Sequence, residues 1–161
     1  MLLESLLALA LSWPHPWYPP GKNPETPEQY QERIGTIVQA VTMETQDREL
    51  ATAVLVLTYQ ESRWRVDVHD GSKLGDHGRA ACLGQIHVSW RVPKQDWEAL
   101  TGTGLEATRR CVGTVAGLLG GYRRMCGSWE GAFSGYASGR GCTVLALGRE
   151  RAARLAKVLT Q

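Results

Sequence analysis

The segment DRELATAVLVLTYQ, residues 47–60, constrains the fold of this 161-residue chain more than any other. Its apolar side chains fall on nearly every side of a helix; they include Leu50, Ala51, Val54, Leu55 and Leu57. Because such a helix is not stable facing water, the segment predicts a central helix around which the rest of the chain folds. The helix leads into a carboxylate, Glu61, at or just beyond its C-terminal end.

A second helix start is signalled at Thr26. Pro27 takes the first helical position, where its missing amide hydrogen costs nothing, and Gln29 completes a capping box with Thr26. The apolar residues that follow recur on one helix face; they are Ile34, Ile37, Val38 and Val41. We therefore predict a helix from Thr26 onward with this face in the core.

Three more helices are predicted in the second half of the chain. Thr103 and Glu106 have the spacing of a capping box that opens a long helix. Its apolar stripe comprises Leu105, Val112, Val115, Leu118, Leu119, Tyr122 and Met125. A shorter helix is predicted at 129–136 and a terminal one at about 147–159.

The length suits one compact domain, and the alternation typical of strands is nearly absent, so the fold class is mainly α. Residues 1–25 are interpreted as an apolar and Pro-rich extension that precedes a domain at 26–161. Its first residues, MLLESLLALALSW, are too short to span a bilayer and have no Lys or Arg before the apolar run. A short helix packed on the domain, or a frayed terminus, is therefore as good a reading as a signal peptide.

Residues 65–80 contain Gly71, Gly75 and Gly78 and are too interrupted for a long helix, so they predict an ordered loop. Loops of this length in compact domains usually have a function. The chain also has four cysteines, without the paired short spacing of a zinc site. One or two disulfides and four buried thiols both remain open.

Glu61 is the strongest candidate for chemistry. A carboxyl at the C-terminal end of a buried helix faces the negative end of the helix dipole and is partly desolvated by its neighbours Tyr59 and Trp64. Both effects favour the protonated form, which can donate a proton to a departing sugar oxygen. In the alternative reading, Glu61 pairs with Arg63 or Arg65 and is only a solvated helix end.

Three short motifs follow one another along the chain. They are Glu61-Ser62, then Ala80, Leu83 and Gln85 within GRAACLGQIH, then Tyr136 and Gly139 within GYASGRG. In this order they resemble the motifs of lytic transglycosylases of the soluble-lytic (SLT) type, relatives of goose-type lysozyme, over about residues 50–142. The chain departs from that pattern at Arg79, Cys82, Gly84, Gly135 and Ala137.

The resemblance implies a lysozyme-like single domain of about five to seven helices with a long Gly-rich active-site loop. It implies that Glu61 acts as the catalytic acid and then as the base, while Ser62, Gln85 and Tyr136 line the sugar groove. The reaction implied is cleavage of the β-1,4 bond between N-acetylmuramic acid (MurNAc) and N-acetylglucosamine (GlcNAc). It closes a 1,6-anhydro ring on the muramic sugar and needs no metal and no cofactor.

The same resemblance implies peptidoglycan glycan strands as the partner of a monomeric enzyme, located in the periplasm, the cell envelope or a phage virion. It also suggests a disulfide between Cys82 and Cys111 that braces the loop. A second one, between Cys126 and Cys142, would then brace the turn that carries Tyr136. Nothing in the motifs implies nucleic acid or a stable membrane span.

Two alternatives keep the fold and change the activity. Glycosidases that hydrolyse their substrate use a second carboxylate, for which the loop offers Asp67, Asp70 and Asp76. We favour turn formation for each of these, because Asp beside Gly is a common turn former. Alternatively, the chain is a catalytically inactive glycan-binding or virion-structural protein, since a fold does not determine an activity.

Metal binding and nucleic-acid binding are weaker alternatives. The cluster of His69, Asp70, Asp76 and His77 has neither the spacing of a two-histidine helix motif nor the register of an EF-hand. The net charge is only +2, and acidic residues are interspersed among the arginines of the last helices. A solvated basic face is the favoured interpretation of those arginines.

Overall fold

The computed structural model describes residues 2–87, 89, 93 and 96–160, and it is mainly helical. Its helices are α1 (Leu2–Leu11), α2 (Pro27–Glu44), α3 (Arg48–Ser62), α4 (Val66–His69), α5 (Trp97–Leu100), α6 (Leu105–Cys126), α7 (Trp129–Ser138) and α8 (Ala146–Leu159). The two-residue strands β1 (Ala80–Ala81) and β2 (Ile86–His87) pair antiparallel. The described residues thus form eight helices rather than five to seven. The additional ones include α4 and α5, which are single turns too short to show periodicity.

Helix α3 is the central helix that the sequence predicts. Every residue from Ala51 to Tyr59 is buried, and α3 packs against α1, α2, α6 and α8. The Asp47 side chain caps it by accepting hydrogen bonds from the amides of Glu49 and Leu50. The helix ends at Ser62, after which Arg63 adopts a left-handed conformation. Glu61 therefore lies in the last turn of the helix.

The predicted start of α2 is confirmed. The capping residue predicted for α6, Thr103, is wrong. Thr26 and Gln29 form both bonds of the capping box at the start of α2. At α6 the capping residue is Gly104, and no side chain caps the helix. The carboxylate of Glu106, expected to cap, instead contacts the guanidinium groups of Arg109 and Arg110. These cations stabilise the carboxylate more than a neutral amide does, because their hydrogen bonds to it are charge-assisted.

The described part of the N-terminal extension packs on the domain. Leu6 and Ala10 of α1 are buried in the core. Beyond α1, the Trp13 ring lies 4.9 Å from that of Tyr59 and 5.1 Å from that of Trp64, measured between centroids. Residues 2–13 therefore add a layer to the hydrophobic core formed by residues 26–160. None of the described helices is both long and apolar enough to cross a bilayer.

The loop after α3 is ordered because a buried polar network anchors it. Arg33 of α2 binds the Glu25 carboxylate through two hydrogen bonds, of 2.5 and 2.9 Å, and donates to the carbonyl of Trp64. Arg33 Nη1 also lies 3.4 Å from Nδ1 of His69, and His69 Nε2 lies 2.8 Å from the hydroxyl of Thr108 in α6. The network thus connects α4, which contains His69, to both α2 and α6.

The hydrogen-bond partners of His69 determine its protonation and its tautomer. Arg33 can only donate, so Nδ1 of His69 accepts. The Thr108 hydroxyl donates to the carbonyl of Gly104, so Nε2 of His69 donates to Thr108. His69 is therefore neutral and acts as a structural residue of the loop. Burial, together with the charge of Arg33, lowers the pKa of His69 to about 3.

We expect the protein to lose stability as the pH falls below about 6.5, because unfolded His69 binds a proton that the folded protein excludes. The unfolded state then holds more protons, so the free energy of unfolding falls by about 2 kcal/mol between pH 6.5 and 4.5. Urea unfolding at several pH values measures this slope. His69→Gln should flatten it, and His77→Gln, a change at an exposed histidine, should leave it unchanged. If the free energy of unfolding depends on pH equally in the wild type and in His69→Gln, His69 is not the group responsible.

Candidate active site

A surface groove of about 550 Å³ lies between the β1–β2 turn, α6 and α7. Its walls include Gln85 from the turn, Leu118 and Tyr122 from α6 and Tyr136 from α7. A second hollow, of about 480 Å³, continues along α6 as far as Met125 and shares Leu118 and Tyr122 with the first. The two hollows lie side by side along α6, and we call them together the Tyr136 groove.

Tyr136 connects α7 to the turn between the two strands. Its hydroxyl donates a hydrogen bond of 2.7 Å to the carbonyl oxygen of Gly84. A side chain at residue 84 would collide with Val115 and come within 3.0 Å of the Tyr136 hydroxyl, so this contact requires glycine. Burial raises the pKa of Tyr136 above its ordinary value, the charge of Glu61 adds to this effect and Arg151 opposes it. The hydroxyl is thus a neutral donor.

Gln85 is held by the same turn. Its backbone is left-handed, with φ of 48°, and both its amide nitrogen and its side-chain Nε2 donate to the carbonyl of Cys82, at 3.0 and 3.1 Å. Its Oε1 occupies the space above Gly75, where any side chain would collide with it. Gln85 therefore lines the groove in one fixed orientation.

Two disulfides support the walls of the groove. Cys82 is bonded to Cys111 of α6, which ties the Gln85 turn to that helix. Cys126, at the end of α6, is bonded to Cys142, which follows α7. Both pairings suggested by the family resemblance are confirmed.

Glu61 forms an ion pair that its local sequence does not indicate. Its Oε1 lies 2.6 Å from Nη2 of Arg151 in α8; the Arg151 side chain is 5% exposed and that of Glu61 is 21% exposed. The partners considered from sequence are engaged elsewhere, Arg63 over the ring of Tyr59 and Arg65 with Asp67. Glu61 is thus bound by a buried guanidinium from a distant helix, and the protonated form expected from sequence stays a prediction.

Glu61 does not line the Tyr136 groove itself. Its connection with the groove is Tyr136, which feels the charges of both Glu61 and Arg151 and forms part of the groove wall. Tyr136 in turn contacts Gly84, the neighbour of Gln85. The fold thus brings Glu61, Gln85 and Tyr136 into one region, although they are far apart in sequence.

The structure does not bring Ser62 to the groove. Its side chain is buried, and its hydroxyl donates to the carbonyl of Thr58 at 2.7 Å and accepts from the amide of Trp64 at 3.1 Å. These bonds close the last turn of α3 and orient Trp64, whose indole donates to Thr58. A contact between Ser62 and sugar stays a prediction.

The three loop carboxylates all have polar partners. Asp67 binds Arg65 through two hydrogen bonds, which lower the pKa of Asp67. Asp70 accepts from the amide of Ser72 in a turn. Asp76 lies 3.3 Å from Arg79 and 3.5 Å from Nδ1 of His87, a residue of the groove wall. Over the described residues, no three His, Cys, Asp or Glu side chains are grouped so that they would hold a metal ion.

Comparisons with protein-family models, with curated proteins and with solved structures find no match to this chain.

Proposed function

We propose that this protein cleaves the MurNAc–GlcNAc β-1,4 bond of peptidoglycan as a lytic transglycosylase, with Glu61 as its single catalytic carboxylate. The observation that supports this most is the meeting of the three motifs. Glu61 at the end of α3, Gln85 in the strand turn and Tyr136 in α7 come together beside the Tyr136 groove. Two hollows side by side along one helix suit a polymer better than they suit a small molecule.

In the proposed reaction, protonated Glu61 gives its proton to the glycosidic oxygen, and the bond from that oxygen to C1 of MurNAc breaks. The N-acetyl group of MurNAc shields the developing positive charge at C1. The ionised Glu61 then takes the proton of the C6 hydroxyl as its oxygen bonds to C1. This step closes the 1,6-anhydro ring and restores the acid, so no water is consumed.

Two further features favour this reaction and its setting. Hydrolysis generally uses a second carboxylate, and each candidate in the loop already has a partner: Asp67 binds Arg65, Asp70 accepts from Ser72, and Asp76 pairs with Arg79 and His87. The two disulfides fit a protein that works outside a reducing cytosol, as an enzyme of the cell envelope or of a phage virion does.

The ion pair of Glu61 with Arg151 favours a second candidate function. A carboxylate held by a buried arginine also fits a structural role, in which the chain binds glycan or builds a virion without cleaving the wall. The two candidates differ in one observable, the release of soluble fragments from peptidoglycan.

Digestion of purified peptidoglycan followed by mass spectrometry of the fragments tests both. We expect anhydro-muropeptides from the wild type. Fragments heavier by one water would replace the transglycosylase with a lysozyme-type hydrolase. Binding to peptidoglycan without any fragments would favour the inactive glycan-binding protein.

A further inference from the structure

A Pro-rich segment outside the helices and strands follows α1 and crosses the C-terminal end of α3. Near its start, the carbonyl oxygen of Pro14 accepts a hydrogen bond of 3.0 Å from the hydroxyl of Tyr59. Further along, the hydroxyl of Tyr18 accepts one of 3.1 Å from the amide of Val66. Pro16 lies between these two anchors and fixes its own φ. The segment is therefore held in a defined position although it has no regular secondary structure.

Trp17 belongs to this segment and is 76% exposed, more than any other large apolar residue that the structure describes. Its carbonyl oxygen accepts a hydrogen bond of 3.5 Å from Nη1 of Arg65, whose guanidinium also stacks on the ring of Tyr18. The backbone that carries the indole is thus fixed. An indole presented in this way offers a large apolar face and loses only two side-chain torsions on binding, so its exposure indicates an interaction site.

Two guanidinium groups lie over the ring of Tyr59 beside the same segment. That of Arg63 is 5.2 Å and that of Arg154 is 4.9 Å from the ring centroid. Arg154 also lies 5.0 Å from the centroid of Trp13, where the segment begins. Among the described residues, neither arginine is paired with a carboxylate. A stacked guanidinium covers the ring with its face, so the N–H groups at its edge can bind an anion.

Arg63 reaches this position through an uncommon backbone conformation. Arg63 and Trp64 are both left-handed, with φ of 52° and 49°. Helices commonly end on a left-handed glycine, which adopts this conformation without a steric cost, whereas an arginine seldom does. Arg63 is exposed, so packing does not explain why an arginine stands where the backbone favours glycine. Uncommon conformations of this kind concentrate at functional sites.

Trp17, Arg63 and Arg154 lie around one segment and one end of α3, and we call them the Trp17 face. Tyr59, under the two arginines, and Glu61 are two positions apart on α3, so their side chains leave the helix on opposite sides. None of the three residues of the Trp17 face lines the Tyr136 groove. The Trp17 face is therefore separate from the candidate active site.

An exposed indole beside two unpaired arginines matches an anionic glycan. The flat apolar face of an indole packs against the C–H face of a sugar ring, and guanidinium groups bind carboxylates through charge-assisted hydrogen bonds. Peptidoglycan offers both, because its sugar strands carry peptides with free carboxylates. A membrane surface matches less well, since membrane binding scales with apolar area and Trp17 is the only exposed large apolar residue at 13–18.

We infer that the Trp17 face binds a second stretch of peptidoglycan, with a sugar ring on Trp17 and peptide carboxylates on Arg63 and Arg154. The inference rests on the proposed function for the identity of the polymer. It gives the protein a contact with the insoluble wall that is separate from the bond to be cleaved.

Co-sedimentation with purified insoluble peptidoglycan tests the role of Trp17. All variants carry Glu61→Gln, so that the polymer stays intact during the measurement. Trp17→Ala should raise the apparent Kd by about fivefold to tenfold, the loss typical of an aromatic anchor. Trp17→Tyr keeps an aromatic face and should restore most of the binding.

The same assay tests the arginines. Arg63→Met/Arg154→Met keeps an apolar cover on the ring of Tyr59 and removes both charges. It should raise the apparent Kd and make binding less sensitive to salt, because salt screens exposed charges. Arg48→Met/Arg149→Met removes two exposed arginines elsewhere and should bind like the parent. If the first double variant fails to fold, Arg63→Met alone, at an exposed residue, takes its place.

Urea unfolding confirms that the variants compared are folded. If Trp17→Ala and the uncharged arginine variant co-sediment like the parent, the inference is overturned. Tighter binding to phosphatidylglycerol vesicles than to peptidoglycan, lost in the same variants, would also overturn it and assign the Trp17 face to a membrane. Absence of cleavage by the wild type would remove the proposed function alone, because co-sedimentation does not depend on cleavage.

Discussion

Glu61→Gln is expected to lower kcat for peptidoglycan cleavage by a factor of about 10²–10⁴, the usual contribution of a general acid or base. The substitution keeps the size of the side chain and its hydrogen-bond acceptor toward Arg151. It removes the proton that the glycosidic oxygen requires and the base that closes the anhydro ring. Release of soluble muropeptides per unit time measures the loss.

The matched control is Glu150→Gln, the same chemical change at an exposed glutamate of α8. It should retain wild-type activity. Urea unfolding of both variants separates a loss of chemistry from a loss of fold, since Glu61→Gln also removes the charge that pairs with Arg151. If Glu61→Gln stays folded and keeps more than a tenth of the activity, Glu61 is not the catalytic acid.

Removing the disulfide between Cys82 and Cys111 is expected to lower the free energy of unfolding by about 3–4 kcal/mol, given a sequence separation of 29 residues. The double variant Cys82→Ala/Cys111→Ala avoids placing hydroxyls in a buried position. It should also raise KM, because the freed turn carries Gln85, which depends on the carbonyl of Cys82 for two hydrogen bonds. Urea unfolding and steady-state kinetics measure the two effects.

Cys126→Ala/Cys142→Ala serves as the comparison. Its sequence separation of 16 residues predicts a similar loss in the free energy of unfolding, about 3 kcal/mol. This disulfide, however, does not hold the turn that carries Gln85. At a temperature where both double variants are folded, KM should rise more in Cys82→Ala/Cys111→Ala than in Cys126→Ala/Cys142→Ala. Equal KM values would mean that the first disulfide stabilises the fold without positioning Gln85.

The role of Tyr136 follows from where the three motifs meet. Its hydroxyl is committed to the carbonyl of Gly84, so it orients the turn next to Gln85. Its ring forms part of the groove wall. Two glycines that depart from the motifs the chain resembles suit this arrangement. Gly84 makes room for Val115 and the Tyr136 hydroxyl, and Gly135 makes room for the ring of Tyr122.

Local signals in the sequence determined much of the helical framework. Apolar residues on nearly every side of the helix at 50–57 predicted that α3 is buried. Thr26, Pro27 and Gln29 predicted the start of α2. These signals act between residues three or four positions apart, so the sequence contains them fully. The capping box predicted at Thr103 and Glu106 was wrong although its competitor is also local: Arg109 and Arg110, three and four positions after Glu106, bind its carboxylate.

Only the tertiary structure decided the charge environment of Glu61. Arg151 lies 90 positions further along the chain (151 − 61), on a helix whose own pattern indicates only an amphipathic surface element. The pair forms because α8 packs on α3 and on α7, and Gly148 permits the close approach to α7 by its lack of a side chain. Contacts of this kind depend on how helices dock, and docking is a property of the whole packed core rather than of any stretch of sequence.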